Sequence, residues 1–491
     1  MPTLPADAFP FCGETYPAYS PLIDAQRSIN LYPERGLPSS KTQVALIGRP
    51  GLVVHATLPT SPVRALWGGN QRLFAVGGTH VYEVFANGTI SDVGALAGSA
   101  GVGPCQFVQG AGPAFQLLLM DSSTPGSATG QFGAIYNVVA GLPVVFDGMA
   151  LEYLDGFFVA IDTPTSTVQN RVSVSALTDG TDWPALANNR RLGSNDLLTQ
   201  LVTINGHLWP LGQKNFEIWY NAGTSPFPFA RMPGTTINKG LLARFAYAKI
   251  DNTLMWLGAD DLGWAVVYRA SGALPVRVST FAIETLINNT YGTDIHLARA
   301  HAYQEGGHLF FVLNFPAGTV VYDLTTGQWH ERSYLNPISG LMERARPDCF
   351  ASVNQFLTST VNFVGDYATG HIYKQALSYP ADNGQTIRRI RTAPHVSNQN
   401  RVVQYSSLYL DADIGTAEPA LEFSNNGGKT FPRAYAAKPA STESPDYGFP
   451  RYGWVQLGQS RDRVFRVTID SSTNTICLIA AYLDANPGTE P

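Results

Sequence analysis

The chain has 491 residues, of which only 14% are charged and 11% aromatic, with 47 glycines and 33 prolines. At about 100–200 residues per domain it has room for two or three domains and a large buried core. Its formal net charge of -5 lacks the basic character that drives non-specific phosphate binding, which argues against a sequence-reading DNA protein yet allows a surface that DNA passes without sticking.

Exposed helices are usually rich in Glu, Lys, Arg and Ala, so the low charge and the abundant Gly and Pro point to an all-β chain of short strands and tight turns. Residues 1–10 hold three prolines, no basic residue and no apolar stretch of the kind a secretory signal needs. No apolar run approaches the ~20 residues of a membrane-spanning helix, and a soluble protein without a membrane span is expected. Cys12, Cys105, Cys349 and Cys477 lie far apart, with no His at zinc-ligand spacing, and read as reduced thiols of a protein assembled in a reducing cytoplasm.

Residues 1–58 are expected to form an extended N-terminal arm, since Pro recurs at positions 2, 5, 10, 17, 21, 33, 38 and 50 and withholds backbone donors. From residue 59 the pattern becomes one of short apolar runs with turn residues between them. Runs at 63–67, 72–76, 80–85 and 90–93, with an Asn87-Gly88 turn, make four strands in about forty residues, the size of one propeller blade. The cadence returns as a strand pair over 150–161 and 171–176, then at 200–202, 207–211 and 216–220. It continues at 246–250, 254–257 and 265–270, at 298–303, 309–313, 320–324 and 329–332, and at 355–359, 361–365 and 371–375. This predicts an irregular six- or seven-bladed β-propeller over residues 59–380, with stacked β-sandwiches as the rival arrangement. Val321-Tyr322-Asp323-Leu324-Thr325-Thr326-Gly327-Gln328-Trp329 and Asp366-Tyr367-Ala368-Thr369-Gly370-His371-Ile372-Tyr373 share one turn design. In it Asp and Thr bond nearby backbone N–H groups, Gly takes φ > 0 and the aromatic packs between blades. One short helix is expected around 280–288, capped by Ser279. Polar residues at 379–385 mark a boundary, and the alternation over 386–486 predicts a C-terminal β-sandwich domain, residues 381–491.

No nucleophile elbow, zinc-binding His-Glu-x-x-His helix or phosphate loop occurs, so no catalytic residue, metal ligand or cofactor is nominated and the chain is read as non-enzymatic. Ser424-Asn425-Asn426-Gly427-Gly428-Lys429-Thr430-Phe431 looks like the Asp-box hairpin of sialidases. It motivates the alternative of a glycan-binding or glycan-cleaving propeller, although its residue types favour a plain β-turn. Asp411 and Asp413 sit on one side of a strand end but make an incomplete calcium shell. Asp260-Asp261 reads as a turn. Arg388-Arg389-Ile390-Arg391 and Arg190-Arg191 are the only basic concentrations and read mainly as solvated groups. His207, His308 and His330 are expected in structural roles.

The arm segment Ser28-Ile29-Asn30-Leu31-Tyr32-Pro33-Glu34, followed by Arg49-Pro50-Gly51-Leu52, resembles the opening of the packaged-DNA stabilisation proteins of short-tailed bacteriophages, also called tail hub or nozzle proteins. The resemblance continues in order through Phe216-Glu217-Ile218-Trp219-Tyr220-Asn221-Ala222-Gly223, residues 240–250, Trp256-Leu257-Gly258, Val278-Ser279-Thr280, Gly306-Gly307-His308 and Tyr322-Asp323. It spans roughly residues 20–375, and each element is short, so its specificity lies in their order. It implies a virion tail protein forming a homo-oligomer, a hexameric ring, below the portal and its adaptor (head-to-tail connector). The ring would be closed by a tail needle or plug and flanked by tailspikes or tail fibres. It would retain packaged phage genomic DNA, which then leaves through it without sequence recognition.

Overall fold

The computed structural model describes residues 8–40, 42–112, 114–122, 133–163, 169–191, 193, 196–354, 356, 359–436, 438–439 and 451–487. Seven antiparallel four-stranded meanders follow one another around a propeller. Blade 1 comprises Val63–Gly69, Arg72–Gly77, His80–Val84 and Ile90–Ala95. Blade 2 comprises Cys105–Gln109, Leu117–Asp121, Ala134–Asn137 and the first part of Val144–Leu154. The rest of that strand is the inner strand of blade 3, which adds Phe157–Asp162, Arg171–Val174 and Asn188–Arg190. Blade 4 is Leu198–Ile204, His207–Gly212, Trp219–Asn221 and Phe229–Arg231, and blade 5 is Tyr247–Ile250, Thr253–Ala259, Ala265–Ser271 and Leu274–Arg277. Blade 6 is Arg299–Glu305, His308–Phe315, Gly318–Asp323 and Gln328–Leu335. Blade 7 takes Pro347–Val353, Val361–Asp366 and His371–Ala376, and its fourth strand is Gly51–Thr57, from the region expected as an arm.

The blades close into a ring because each has two apolar faces to cover, and a closed ring covers both. Every interface carries its own core: Leu73 and Phe363 lie between blades 1 and 7, Phe74 and Tyr136 between 1 and 2, Leu118 and Phe158 between 2 and 3. Leu201 with Val159, Trp209 with Trp256, and Met255 with Trp329 fill the next three. Tyr303 and Phe310 meet Phe350 in the last. Trp329 is fully buried and donates its indole N–H to the Val278 carbonyl at 3.0 Å. Its truncation to Ala would cost about 3–5 kcal/mol.

Several elements differ from the sequence-based reading. Blade 2 went unread, and the pair expected over 150–161 and 171–176 contains three strands, with a hairpin at Asp155-Gly156 (φ 50° and 90°). The run expected at 355–359 lies mostly outside the described residues, and the inner strand of blade 7 is Pro347–Val353. Its Asp348 reads as polar in sequence but is buried between Arg299 and Arg344. The helix runs from Phe281 to Thr290 and is capped by Thr280, whose Oγ1 accepts from the Ile283 N–H. Ser279 instead donates to Glu284 and accepts from the Val267 N–H.

The C-terminal sandwich has two sheets. One orders Lys438–Pro439, Arg451–Ser460, Val403–Asp413, Cys477–Pro487, Val44–Gly48 and Leu31–Arg35. The other continues blade 6: Ile29 forms a parallel bridge with Glu331, and Ala25–Ile29 then pairs with Ile387–Ser397, which leads on to Asp462–Ser471, Pro419–Ser424 and Ala434–Ala436. Their shared core includes Leu410, Phe465 and Leu478 together with Phe11, Leu31 and Leu46. No helix among the described residues is long and apolar enough to cross a membrane.

Candidate functional site: the junction of propeller and sandwich, and the propeller axis

The side chains that tie the molecule together converge where the N-terminal strands cross from blade 6 to blade 7. Asn30 takes φ 59°, a left-handed conformation that Asn tolerates better than most residues. The turn aims its side chain into the seam, where Oδ1 accepts from Arg49 Nε at 2.8 Å and from the Ser333 N–H at 2.9 Å. Its Nδ2 donates to the Arg388 carbonyl at 2.8 Å. Arg49 meets Asp382 with two parallel hydrogen bonds, 2.9 and 2.5 Å, and also donates to the Ser333 carbonyl at 3.1 Å. Both partners are buried. A bidentate guanidinium–carboxylate pair of this kind fixes orientation, and breaking it by removing one partner is strongly destabilising. Arg27 pairs with Glu331 in the same seam.

Gly51 follows at once. Its N–H donates to the Tyr379 carbonyl, and a Cβ there would lie 2.3 and 2.4 Å from the Tyr379 and Ala381 carbonyl oxygens. Glu34, on the neighbouring strand, meets His308 of blade 6, whose other ring nitrogen faces the buried Asp323 at 2.7 Å. The hydrogen bond to Asp323, joined by Glu34, outweighs burial and holds the His308 imidazole above its usual range.

The basic concentrations have structural work. Arg391 is fully buried and donates to the carbonyls of Phe11, Gly13 and Glu14, to Ser28 and to Gln26. Arg389 is buried, and burial pulls it down to about 10. Arg388 pairs with Asp470. Arg191 is buried near Asp196 and Glu217. The expectation of solvated groups therefore fails for Arg389, Arg391 and Arg191, which hold backbone and carboxylates inside the fold.

The remaining sequence candidates are turns or core. Asp260 Oδ1 accepts from the Leu262 and Trp264 N–H groups, and Asp261 pairs with Lys239. A bulge at Asp411/Ala412 breaks the alternation, so Asp411 is buried against Arg451 while Asp413 is exposed. No cluster of metal-ligating side chains occurs among the described residues. In the Asp-box-like segment Ser424 Oγ accepts from the Asn426 and Gly428 N–H groups, and Asn426 Oδ1 from that of Thr430. Asp323 and Asp366 hold their turns as expected, each accepting from a Thr hydroxyl at 2.8 Å. Gly327 has φ 71°, whereas Gly370 serves close approach, since a Cβ would lie 2.4 Å from the Leu58 carbonyl oxygen. His207 Nδ1 lies 2.9 Å from the Asn205 carbonyl, and His330 is fully buried and pushed well below its usual range by desolvation. The four thiols are free, and burial raises that of Cys12 to about 12.

The propeller axis holds only a small cavity. A 480 Å³ cavity is lined by inner-strand residues including Gln106, Glu152, Tyr247 and His301. Lys249 donates to Glu152 and to Thr203 at 3.0 Å each, tying blades 3, 4 and 5 around it. At one mouth Phe245 packs against the core between blades 2 and 3, while its carbonyl accepts from Ala300 of blade 6. A DNA duplex, whose major groove alone is ~12 Å wide, has no path here.

A ring of seven blades closed by an N-terminal strand and joined through buried ion pairs to a sandwich defines a β-propeller protein built as one structural body. The family described as bacteriophage P22 Gp10, β-propeller, a phage stabilisation family, matches residues 28–374, and the chain belongs to it. It is a phage structural tail protein, and hence a virion component. No curated protein matches the chain. Similar solved structures include two of the extracellular domain of BT4673 from B. thetaiotaomicron. One is described as a putative one component system (9% identity, TM-score 0.41) and the other as a putative hybrid two component system (9%, TM-score 0.42). Each match covers 80% of this chain and 48% of the other, so the chain spans about half their length. Raptor from Chaetomium thermophilum is a further match, at 10% identity and TM-score 0.37, covering 67% of this chain and 28% of that one.

Proposed function

We propose that copies of this chain form a hexameric ring below the portal and its adaptor, retaining packaged DNA and later giving it passage. Family membership supports the placement in the tail. The observation that carries the geometry is the small size of the propeller axis: its cavity measures 480 Å³ and is lined by Lys249 and Glu152, which pair with each other, so the conduit runs between subunits, at the axis of a cyclic assembly. In this reading the ring is plugged by a tail needle, anchors tailspikes or fibres, and is assembled in the host cytoplasm, where four unpaired thiols stay reduced. Its conduit-facing surface is neutral or acidic, so that DNA slides without being held. Native mass spectrometry of the purified protein mixed with its adaptor ring tests this. A cyclic oligomer is expected, and a persistent monomer would overturn the proposal.

A further inference from the structure

The mouth of the propeller axis contains a cation without a counter-charge. Arg244 stands just before the inner strand of blade 5 and lines a cavity of 490 Å³, within the size range of small-molecule sites. Its Nε–H is buried and meets no acceptor among the described residues. Its Nη2 has only the Met120 thioether, at 3.5 Å, and the guanidinium rests on the Phe245 ring with 5.0 Å to the centroid. Desolvation pulls Arg244 down to about 10, and no carboxylate offsets it. The stretches 123–132, 164–168 and 192–195, which flank pocket residues in sequence, contain no Asp or Glu.

The other charges at the cavity are already matched. Arg299 is paired with Asp348, and Asp162 with Arg171 and the Ser173 hydroxyl. With Asp348 shared between Arg299 and Arg344 and Asp162 engaged by Arg171, no carboxylate is left over for Arg244, which faces walls that include Val102, Met149, Ile161, Leu198 and Leu241. Burying an unpaired cation is costly, and a guanidinium with free donors in a mainly apolar cavity is suited to receive a planar oxyanion. A phosphate monoester brings a charge of about -1.5 to -2, which one guanidinium does not balance. A carboxylate brings a single charge that fits the fork of donors.

We propose that this cavity is a binding site for a small organic carboxylate, its carboxylate on Arg244 and its apolar body against the walls formed by blades 2, 3 and 4. The three parties to the test are octanoate, its neutral counterpart octanol, and inorganic phosphate, each titrated calorimetrically into the full-length protein. Octanoate is expected to bind one per chain, about tenfold or more tighter than octanol, the margin a charge-assisted pair supplies. Phosphate is expected to bind far more weakly. Arg244→Met should erase the preference for octanoate over octanol, and Arg244→Lys should retain part of it. The comparison of the two ligands on the unaltered protein decides the matter even if Arg244→Met fails to fold. Equal affinity for octanoate and octanol, no binding of octanoate, or phosphate binding as tightly as octanoate would each overturn the assignment.

Discussion

His308 gives the seam a pH dependence whose sign is fixed by its neighbours. Asp323 on one side and Glu34 on the other raise the folded-state value above the unfolded ~6.5. The stability this contributes is therefore fully present below the unfolded value and is lost as pH rises through the folded one. The melting temperature of the wild type should fall with pH in that window, and His308→Gln should flatten the fall. Hydrogen exchange read on Leu31–Arg35 should show the same loss of protection. An unchanged slope in the variant would refute the role. Arg391 and Arg389 make a related point about reading charge from sequence. Two arginines in a short polar run look solvated, and only the fold brings the carbonyls of residues 11–14 to a guanidinium nearly 380 positions away.

At the scale of elements, Gly51 concentrates the closure of the ring. Strand Gly51–Thr57 lies antiparallel to His371–Ala376, and the start of that strand packs under two carbonyl oxygens that a methyl group would strike. Gly51→Ala should lower the melting temperature by an amount equivalent to about 2–3 kcal/mol, since neither carbonyl is free to move. Protease cleavage should appear first in blade 7. A variant as stable as the wild type would show that the strand start has room to shift.

What was legible beforehand follows from what is local. The Asn87-Gly88 hairpin, the turns at Asp323 and Asp366 and the strands of blades 1, 5 and 6 are set by residues within about ten positions of one another. Blade 2 was missed because its strands are separated by long connections, and Pro347–Val353 because Asp348 is neutralised by residues on other strands. The junction could not be derived from spacing, since Asn30 and Arg49 find Ser333, Arg388 and Asp382 about 300 residues or more away. The ordered motifs did contain them: Asn30 lies within Ser28–Glu34 and Arg49 opens the Arg-Pro-Gly-Leu element.

On the scale of the whole molecule, the same N-terminal strands belong to two bodies at once. Leu31–Arg35 and Val44–Gly48 complete a sandwich sheet, and Gly51–Thr57 completes blade 7. Deleting residues 1–57 should therefore abolish a cooperative melting transition, leaving one sheet edge bare in the propeller and removing Phe11, Leu31 and Leu46 from the sandwich core. A truncated chain that melts like the intact one, followed by circular dichroism, would contradict this.

The closing strand also sets a timetable. In a chain made from its amino end, Gly51–Thr57 emerges more than 300 residues before its partner His371–Ala376. At about 5–20 residues per second that is a wait of roughly 15–60 s. Pairings over such separations close slowly, so blades 1 to 6 can stack as they emerge while the circle stays unlatched. A nascent chain thus has no closed circle of blades until about three quarters of it has been translated.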